Sequence, residues 1–409
     1  MSVIATKQPI LDDGIRLTNF FNGRLLTGAD LRREQDAHRQ AHRRLGQAIG
    51  EGIARGLEVS KSATATATNP KVTVAAGLAL NRIGQTLALS QVVELALTQQ
   101  YNQDAGAQTF SECLPLQGGA YVAGAGAYLL TIAPASSNEG RAMMSGLGNV
   151  TASCNTDAIV ETAQFRLLPL SPPLTQTDLQ DQQRLRNRLA YKCFGVDDFG
   201  TFYGNPFAPQ SPYYGLLDEL RPNTLTDCDV PLAVLYWTLT DGVRFVDMWA
   251  ARRRMTAGTL DYRWQLLLSD RRVSEAEAMF QQFEEQIRDI RASESNLENI
   301  KASGRFDYLP PAGVLPLAEG GNLGFDFQKF FEDQAFHPPV FIEEAMVEPL
   351  IRAGLTCAPI SLLNKDPIRL YRVAGGNIIR PYLIFTSAYA PFLGEARYDT
   401  ARWDYSNFV

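Results

Sequence analysis

The chain has 409 residues, of which 45% are hydrophobic and 20% charged, the make-up of a folded globular protein of two or three domains. That balance excludes a disordered chain, a collagen and a disulfide-held miniprotein. Lys+Arg 38 against Asp+Glu 44 leaves a formal charge of −6, so no large basic surface and no nucleic-acid partner are expected.

Other residue counts narrow the chemistry further. The three histidines, His38, His42 and His337, supply few of the commonest metal ligands and general bases. The five cysteines (113, 154, 193, 228 and 357) are widely spaced and form no C-x-x-C, which predicts reduced thiols in a chain made and assembled in the cytoplasm. Met1 to Leu11 carries no apolar core of a secretory signal, and no run approaches the ~20 apolar residues of a membrane helix. No membrane insertion is expected.

The first legible segment begins Thr18-Asn19-Phe20-Phe21-Asn22-Gly23-Arg24-Leu25-Leu26, where Asn-Gly predicts a tight turn. Thr27 stands three residues before Asp30, a capping-box spacing that predicts a helix over 29–48. Leu31, Gln35, His38, His42, Leu45 and Ile49 recur at steps of three and four and read as its narrow, half-polar inner face. Gly50, Gly52 and Gly56 then break the helix.

Short strands follow, at Lys71 to Ala75, Thr86 to Leu97, Tyr128 to Ile132 and Gln164 to Leu168. The strongest hairpin signal is Val234 to Leu239, then Thr240-Asp241-Gly242, then Val243 to Trp249, with Asp-Gly reading as a type I′ turn. This texture predicts a sandwich or barrel rather than a doubly wound sheet.

From Asp270 the period changes. Val273, Ala276, Phe280, Phe283, Ile287, Ile290 and Leu297 follow the spacing of a coiled-coil seam. One reading packs this helix on its own domain. The other joins like chains through it, and phenylalanines at the seam suit a bundle wider than two strands. Pro310-Pro311 closes the segment. Beyond it, Phe325 to Phe341 is rich in aromatics, Ile342 to Leu355 reads as a short helix interrupted at Pro349, and Pro367 to Val373 and Ile379 to Ser387 read as strands. The tail from Ala396 to Tyr405 alternates aromatic and charged residues and reads as docked.

The motif search yields no catalytic constellation. His38 and His42 share a helix face, but Arg39 stands where a zinc peptidase has Glu, and Arg43 and Arg44 repel a cation. Asp227-Cys228-Asp229 has the form of a divalent-cation site in sugar-nucleotide transferases, although Pro231 favours a turn. Gly124-Ala125-Gly126 lacks the third glycine of a dinucleotide loop, and Met143-Met144-Ser145-Gly146 is no nucleophile elbow. The neighbouring carboxylates Asp197-Asp198 and Glu343-Glu344 diverge in either regular structure. No metal and no cofactor are expected.

Phe20 to Thr27, the charged helix with Asp30-Leu31-Arg32-Arg33-Glu34-Gln35, Gly56-Leu57-Glu58-Val59, and Val72 to Leu89 with its Gly77 and Gly84 resemble an N-terminal module of contractile injection systems and phage tail-like particles. The order of elements is more distantly similar to the type VI secretion baseplate subunit related to phage receptor-binding proteins. The resemblance is carried by Thr18 to Leu97. It implies a structural, baseplate-like or fibre-adaptor-like protein, with other subunits of a contractile particle as partners and a homo-oligomer, a trimer being favoured.

The sequence thus predicts an α+β, β-rich fold. A β-sandwich-like N-terminal docking domain with a leading helix fills 1–260, a short coiled-coil-like helical segment 261–304, and a mixed C-terminal domain 305–409. The expected interface residues are Phe20, Phe21, Asn22, Gly23, Arg24, Leu25 and Leu31 for docking, and Val273, Phe280, Phe283, Ile287 and Ile290 for joining like chains. Arg32, Arg33, Arg39, Arg43 and Arg44 are expected to offer a basic stripe. Two alternatives stay open: a receptor- or carbohydrate-binding tail protein that uses the C-terminal aromatic block, and a glycan-processing enzyme.

Overall fold

A computed structural model describes residues 14–98, 124–143, 154–170, 178, 181–198, 205, 207, 214–221, 224–256, 269–319, 321–376 and 378–390. The tail from Ala396, the Met143-Met144-Ser145-Gly146 motif beyond its first residue, and the 257–268 boundary between the first two expected domains lie outside them.

The fold is α+β and β-rich. Helix α1 (Gly28–Ile49) leads into β1 (Gly52–Gly56), β2 (Val59–Lys61), β3 (Lys71–Val74), β4 (Gly77–Leu80), β5 (Thr86–Leu89) and β6 (Val93–Ala96). These strands make two small antiparallel sheets, β1-β4-β5 and β2-β3-β6. A larger antiparallel sheet, β10-β9-β7-β8, is built from β7 (Gly126–Met143), β8 (Cys154–Pro169), β9 (Val230–Thr238) and β10 (Gly242–Asp247).

Side-chain alternation lets the large sheet bury both faces. Leu130, Ile132, Leu167, Leu235 and Trp237 point to the core shared with the small sheets. Leu129, Leu168 and Val234 point instead to α2 (Gln182–Cys193), α3 (Leu216–Glu219), α4 (Met248–Ala251) and α5 (Asp270–Ser293).

The β9–β10 hairpin forms where Asp241-Gly242 predicted it, with a different turn. Thr238 pairs with Gly242, so the loop holds three residues, and Gly242 itself takes the left-handed conformation at φ 69°. The register slips just after, between Val243 and Phe245, which is how a three-residue loop is absorbed. Only Gly126–Ile132 of β7 pairs with β9, whereas β7 and β8 continue together from Tyr128 to Met143. The two strands therefore leave the sheet as a ribbon whose outer residues are exposed.

After α5 come β11 (Tyr308–Leu309), β12 (Ala312–Pro316), α6 (Phe327–Phe330), β13 (Val340–Glu343), α7 (Val347–Leu355), β14 (Ile360–Ser361), β15 (Ile368–Gly375) and β16 (Ile378–Ser387). The sheet β12-β16-β15-β13 is antiparallel except for its parallel β13–β15 pair. Pro349 lies in the first turn of α7 and does not interrupt the helix, because the first turn has no intrahelical acceptor for its missing N–H.

The expected inter-chain seam is spent inside the chain. Ala278 and Met279 of α5 enter the core beneath the large sheet. Phe283, Ile287, Ile290 and Leu297 enter the C-terminal core, where Phe283 meets Phe306 and Phe385 with ring centroids 5.4 and 5.2 Å apart. Phe283 is 1% exposed and Ile287 2%, so neither is a surface through which like chains join, and Ile290 is buried with them. Phe280 is half-buried and Val273 exposed, which leaves no continuous stripe on this helix. Residues 270–293 are a bridge between two cores and no separate stalk.

The polar side of α5 completes the bridge. Arg186 of α2, itself buried, donates to Asp247 at 2.9 Å, Glu285 at 3.0 Å and Asp289 at 2.7 Å. Burial works against that guanidinium's charge, yet the three carboxylates outweigh it and raise its pKa above the usual value. Asn187 donates to the Tyr308 carbonyl at 3.0 Å and accepts from the Asp307 and Tyr308 N–H groups, tying α2 to the start of the C-terminal part.

Candidate docking surface

The segment from Leu17 to α1 is held largely by polar contacts, and its large apolar side chains face water. Asn22-Gly23 forms the expected turn, closed by the Arg24 N–H on the Phe21 carbonyl at 3.2 Å, with Gly23 at φ 89°. Thr27 and Asp30 make a full capping box: the Asp30 N–H donates to Thr27 Oγ1 at 3.2 Å, and the Thr27 N–H to Asp30 Oδ2 at 3.1 Å. Arg24 reaches Asp30 Oδ1 at 2.5 Å and the Asn19 carbonyl at 2.7 Å. Thr18 caps the arrangement, donating from its hydroxyl to the Asp30 carbonyl at 3.0 Å and from its N–H to Glu34 at 3.2 Å.

Asp30 is the hub of this scaffold. The Thr27 hydroxyl and N–H, with Arg24, hold its carboxyl at a pKa of about 2, well below the ordinary carboxylate value. The backbone between Thr18 and Asp30 is thereby fixed without using any apolar side chain.

Those side chains are presented to solvent. Phe20 is 54% exposed, Phe21 62%, Leu25 89% and Leu31 54%. Leu17 and Leu26 are also exposed. The Phe20-Phe21 pair is therefore no part of the first domain's core. Arg24 lies over the Phe21 ring at 5.9 Å and belongs to the scaffold as much as to the surface.

Helix α1 faces the body differently from the sequence expectation. Its buried residues are Asp30, Ala37 and Gly46, whereas Leu31, Gln35, His38, His42, Leu45 and Ile49, read as the inner face, are all exposed. One backbone contact is at Gly46. A Cβ there would lie 2.3 Å from the Gly84 carbonyl oxygen, and one on Gly84 would lie 1.9 Å from that of Arg43. Two glycines let the last turn of the helix rest its backbone on the β4–β5 turn, while Asp30 and Ala37 are buried on the opposite side of the helix.

The basic stripe is present but largely paired. Arg33 meets Asp30 at 3.5 Å, and Arg39 meets Asp36 at 3.8 Å and Glu161 of β8 at 3.0 Å. Arg16, Arg32 and Arg33 edge a groove of about 430 Å³ beside Ala29 and Asp36.

Other candidates resolve into structural roles. Asp229 is fully buried and accepts from Arg166, from Thr131 at 3.0 Å and from the Thr226 hydroxyl at 2.6 Å, while Asp227 pairs with Arg221 at 3.2 Å. With arginines on both carboxylates, the Asp-Cys-Asp tripeptide is a closed turn. Asp218 and Glu275 are likewise clasped by Arg271, at 2.6 and 3.0 Å. The C-terminal aromatic block turns inward, with Phe325, Phe330 and Phe331 buried, although Phe341 stays exposed. Cys193 and Cys357 are free, whereas Cys228 is disulfide-bonded, so the thiols are reduced only in part. Among the described residues, no group of three or more His, Cys, Asp or Glu is placed to hold a metal ion, and no helix is long and apolar enough to cross a membrane.

No protein-family model matches the chain, and no curated protein matches its sequence.

Proposed function

We propose that the chain is a structural subunit of a phage tail-like contractile particle, docking on neighbouring subunits through Leu17, Phe20, Phe21, Leu25, Leu26 and Leu31 and acting by assembly rather than by catalysis. The observation that carries this reading is the exposure of six large apolar side chains on a backbone already fixed by the Thr27–Asp30 box. Contiguous exposed apolar groups rimmed by polar ones mark interaction surfaces. Each such side chain contributes about 1.5–3 kcal/mol once fully buried, so three or four anchors suffice for a stable subunit contact. A prefixed backbone also lowers the ordering cost of binding. The resemblance of Thr18 to Leu97 to the particle module supports the choice of partner.

The test is incorporation. A Phe20→Asp/Phe21→Asp/Leu25→Asp variant, whose changes all lie on exposed positions, is expected to keep the wild-type melting temperature and be absent from particles purified from producing cells. Equal incorporation of variant and wild type would refute the docking surface.

A further inference from the structure

Helix α1 carries a second unpartnered feature, along its length rather than at its start. Leu31, Gln35, His38, His42, Leu45 and Ile49 step by four, three, four, three and four residues, and every one is exposed. This is the a/d spacing of a coiled coil, with Leu31, His38 and Leu45 at d and Gln35, His42 and Ile49 at a. The seam that the molecule leaves open is thus on α1 and not on α5.

We infer that α1 pairs with α1 of a second copy of this chain as a parallel, in-register, two-stranded coil. Three observations select that occupant. The spacing is self-complementary, so an identical helix in register meets it layer for layer. Among the seam's apolar positions, Leu31 and Leu45 at d with Ile49 at a follow the combination that favours two strands. The flanking charges favour the parallel arrangement: Glu34 at g faces Arg39 at e of the second copy, whereas a fully overlapping antiparallel pair sets Arg39 against Arg39 of its mate. Arg39 is half-exposed, so its present contact with Glu161 at the rim leaves it within reach of a second helix. Gln35, His38 and His42 keep the seam half-polar, which fits a contact that fixes register more than it adds affinity.

This pairing deepens the assembly reading by naming one partner, yet it is measured without any particle, so failure of docking and failure of pairing are distinguishable. Light scattering of the full chain at about 50 µM is expected to give twice the chain mass, and Leu45→Asp/Ile49→Asp to give a single chain. Gln35→Cys is expected to form a disulfide between copies under mild oxidation, because in-register a positions face each other at disulfide range. His38→Leu/His42→Leu is expected to tighten the pair by tenfold or more. A wild-type chain of single mass, or a double Asp variant of unchanged mass, overturns the inference. So does a Gln35→Cys chain that cross-links no more than wild type.

Discussion

The two long helices make the sharpest contrast in the molecule. Both α1 and α5 are highly charged and open with an N-cap, Thr27 and Ser269, and both carry apolar residues at steps of three and four. One is buried between two cores and the other stands nearly bare. What separates them is the neighbourhood of their stripes. On α5 the stripe meets Phe306 and Phe385 on one side and the large sheet's lower face on the other. On α1 the contacts fall on Asp30, Ala37, Arg39 and Gly46, and the stripe stays exposed. Amphipathic spacing announces that a helix will pack, and the residues around it decide whether the partner is internal.

The contrast breaks most violently at α5. Phe283→Ala is expected to destabilise the fold by about 3–5 kcal/mol through the cavity it leaves among three rings, read as a fall in denaturant midpoint. Arg186→Ala comes next, at about 3–5 kcal/mol, because it strands Asp247 without its buried partner. On α1, by contrast, Leu45→Ala is expected to stay within about 0.5 kcal/mol when the chain is dilute enough to be single, since the side chain is then in water.

Between these extremes lie the devices that place α1. Gly84→Ala forces a side chain onto the Arg43 carbonyl at a left-handed backbone position, and is expected to raise hydrogen exchange across the last turns of α1 while sparing α5. Thr27→Ala removes the cap and is expected to cost about 1 kcal/mol, seen as fraying of the first turn. The smallest effect is a pH effect. Because the Asp30 carboxyl is held at about 2 in the fold, below its ordinary 3.8, its contribution is present above pH 3.8 and is lost as the pH falls through about 2. Far-UV dichroism at pH 4 is therefore expected to match neutral pH for α1, and Thr27→Ala to move the loss upward.

Much of this was legible in the sequence, and unevenly. The capping box, the Asn-Gly turn, the site of the β9–β10 hairpin and most of the strands from Lys71 onward follow from local chemistry, although the hairpin takes a three-residue loop and Thr86 to Leu97 divides into β5 and β6 of different sheets. The β-rich α+β class followed from the same signals. What the pattern concealed was direction. Leu31 to Ile49 read as an inner face because such a stripe usually finds a core, while the regular period of Val273 to Leu297 fitted an outer seam and packing on its own domain equally. Neither spacing states what lies opposite. Gly46, a glycine in the last turn of the helix, was the one local clue to the backbone contact with Gly84. The aromatic block from Phe325 misled for a similar reason, since rings that could grip a receptor serve equally well as core. Phe20, Phe21 and Leu25 were expected at an interface from the sequence; what the pattern did not show is the polar scaffold of Thr18, Arg24 and Asp30 that holds their loop.

Hydroxyl-radical footprinting of the free chain and of assembled particles reads side-chain accessibility at both regions at once. The account predicts strong labelling of Phe20, Phe21 and Leu25 in the free chain, their protection in the particle, and Phe283 silent in both. Equal labelling of Phe20 and Phe21 before and after assembly would contradict it.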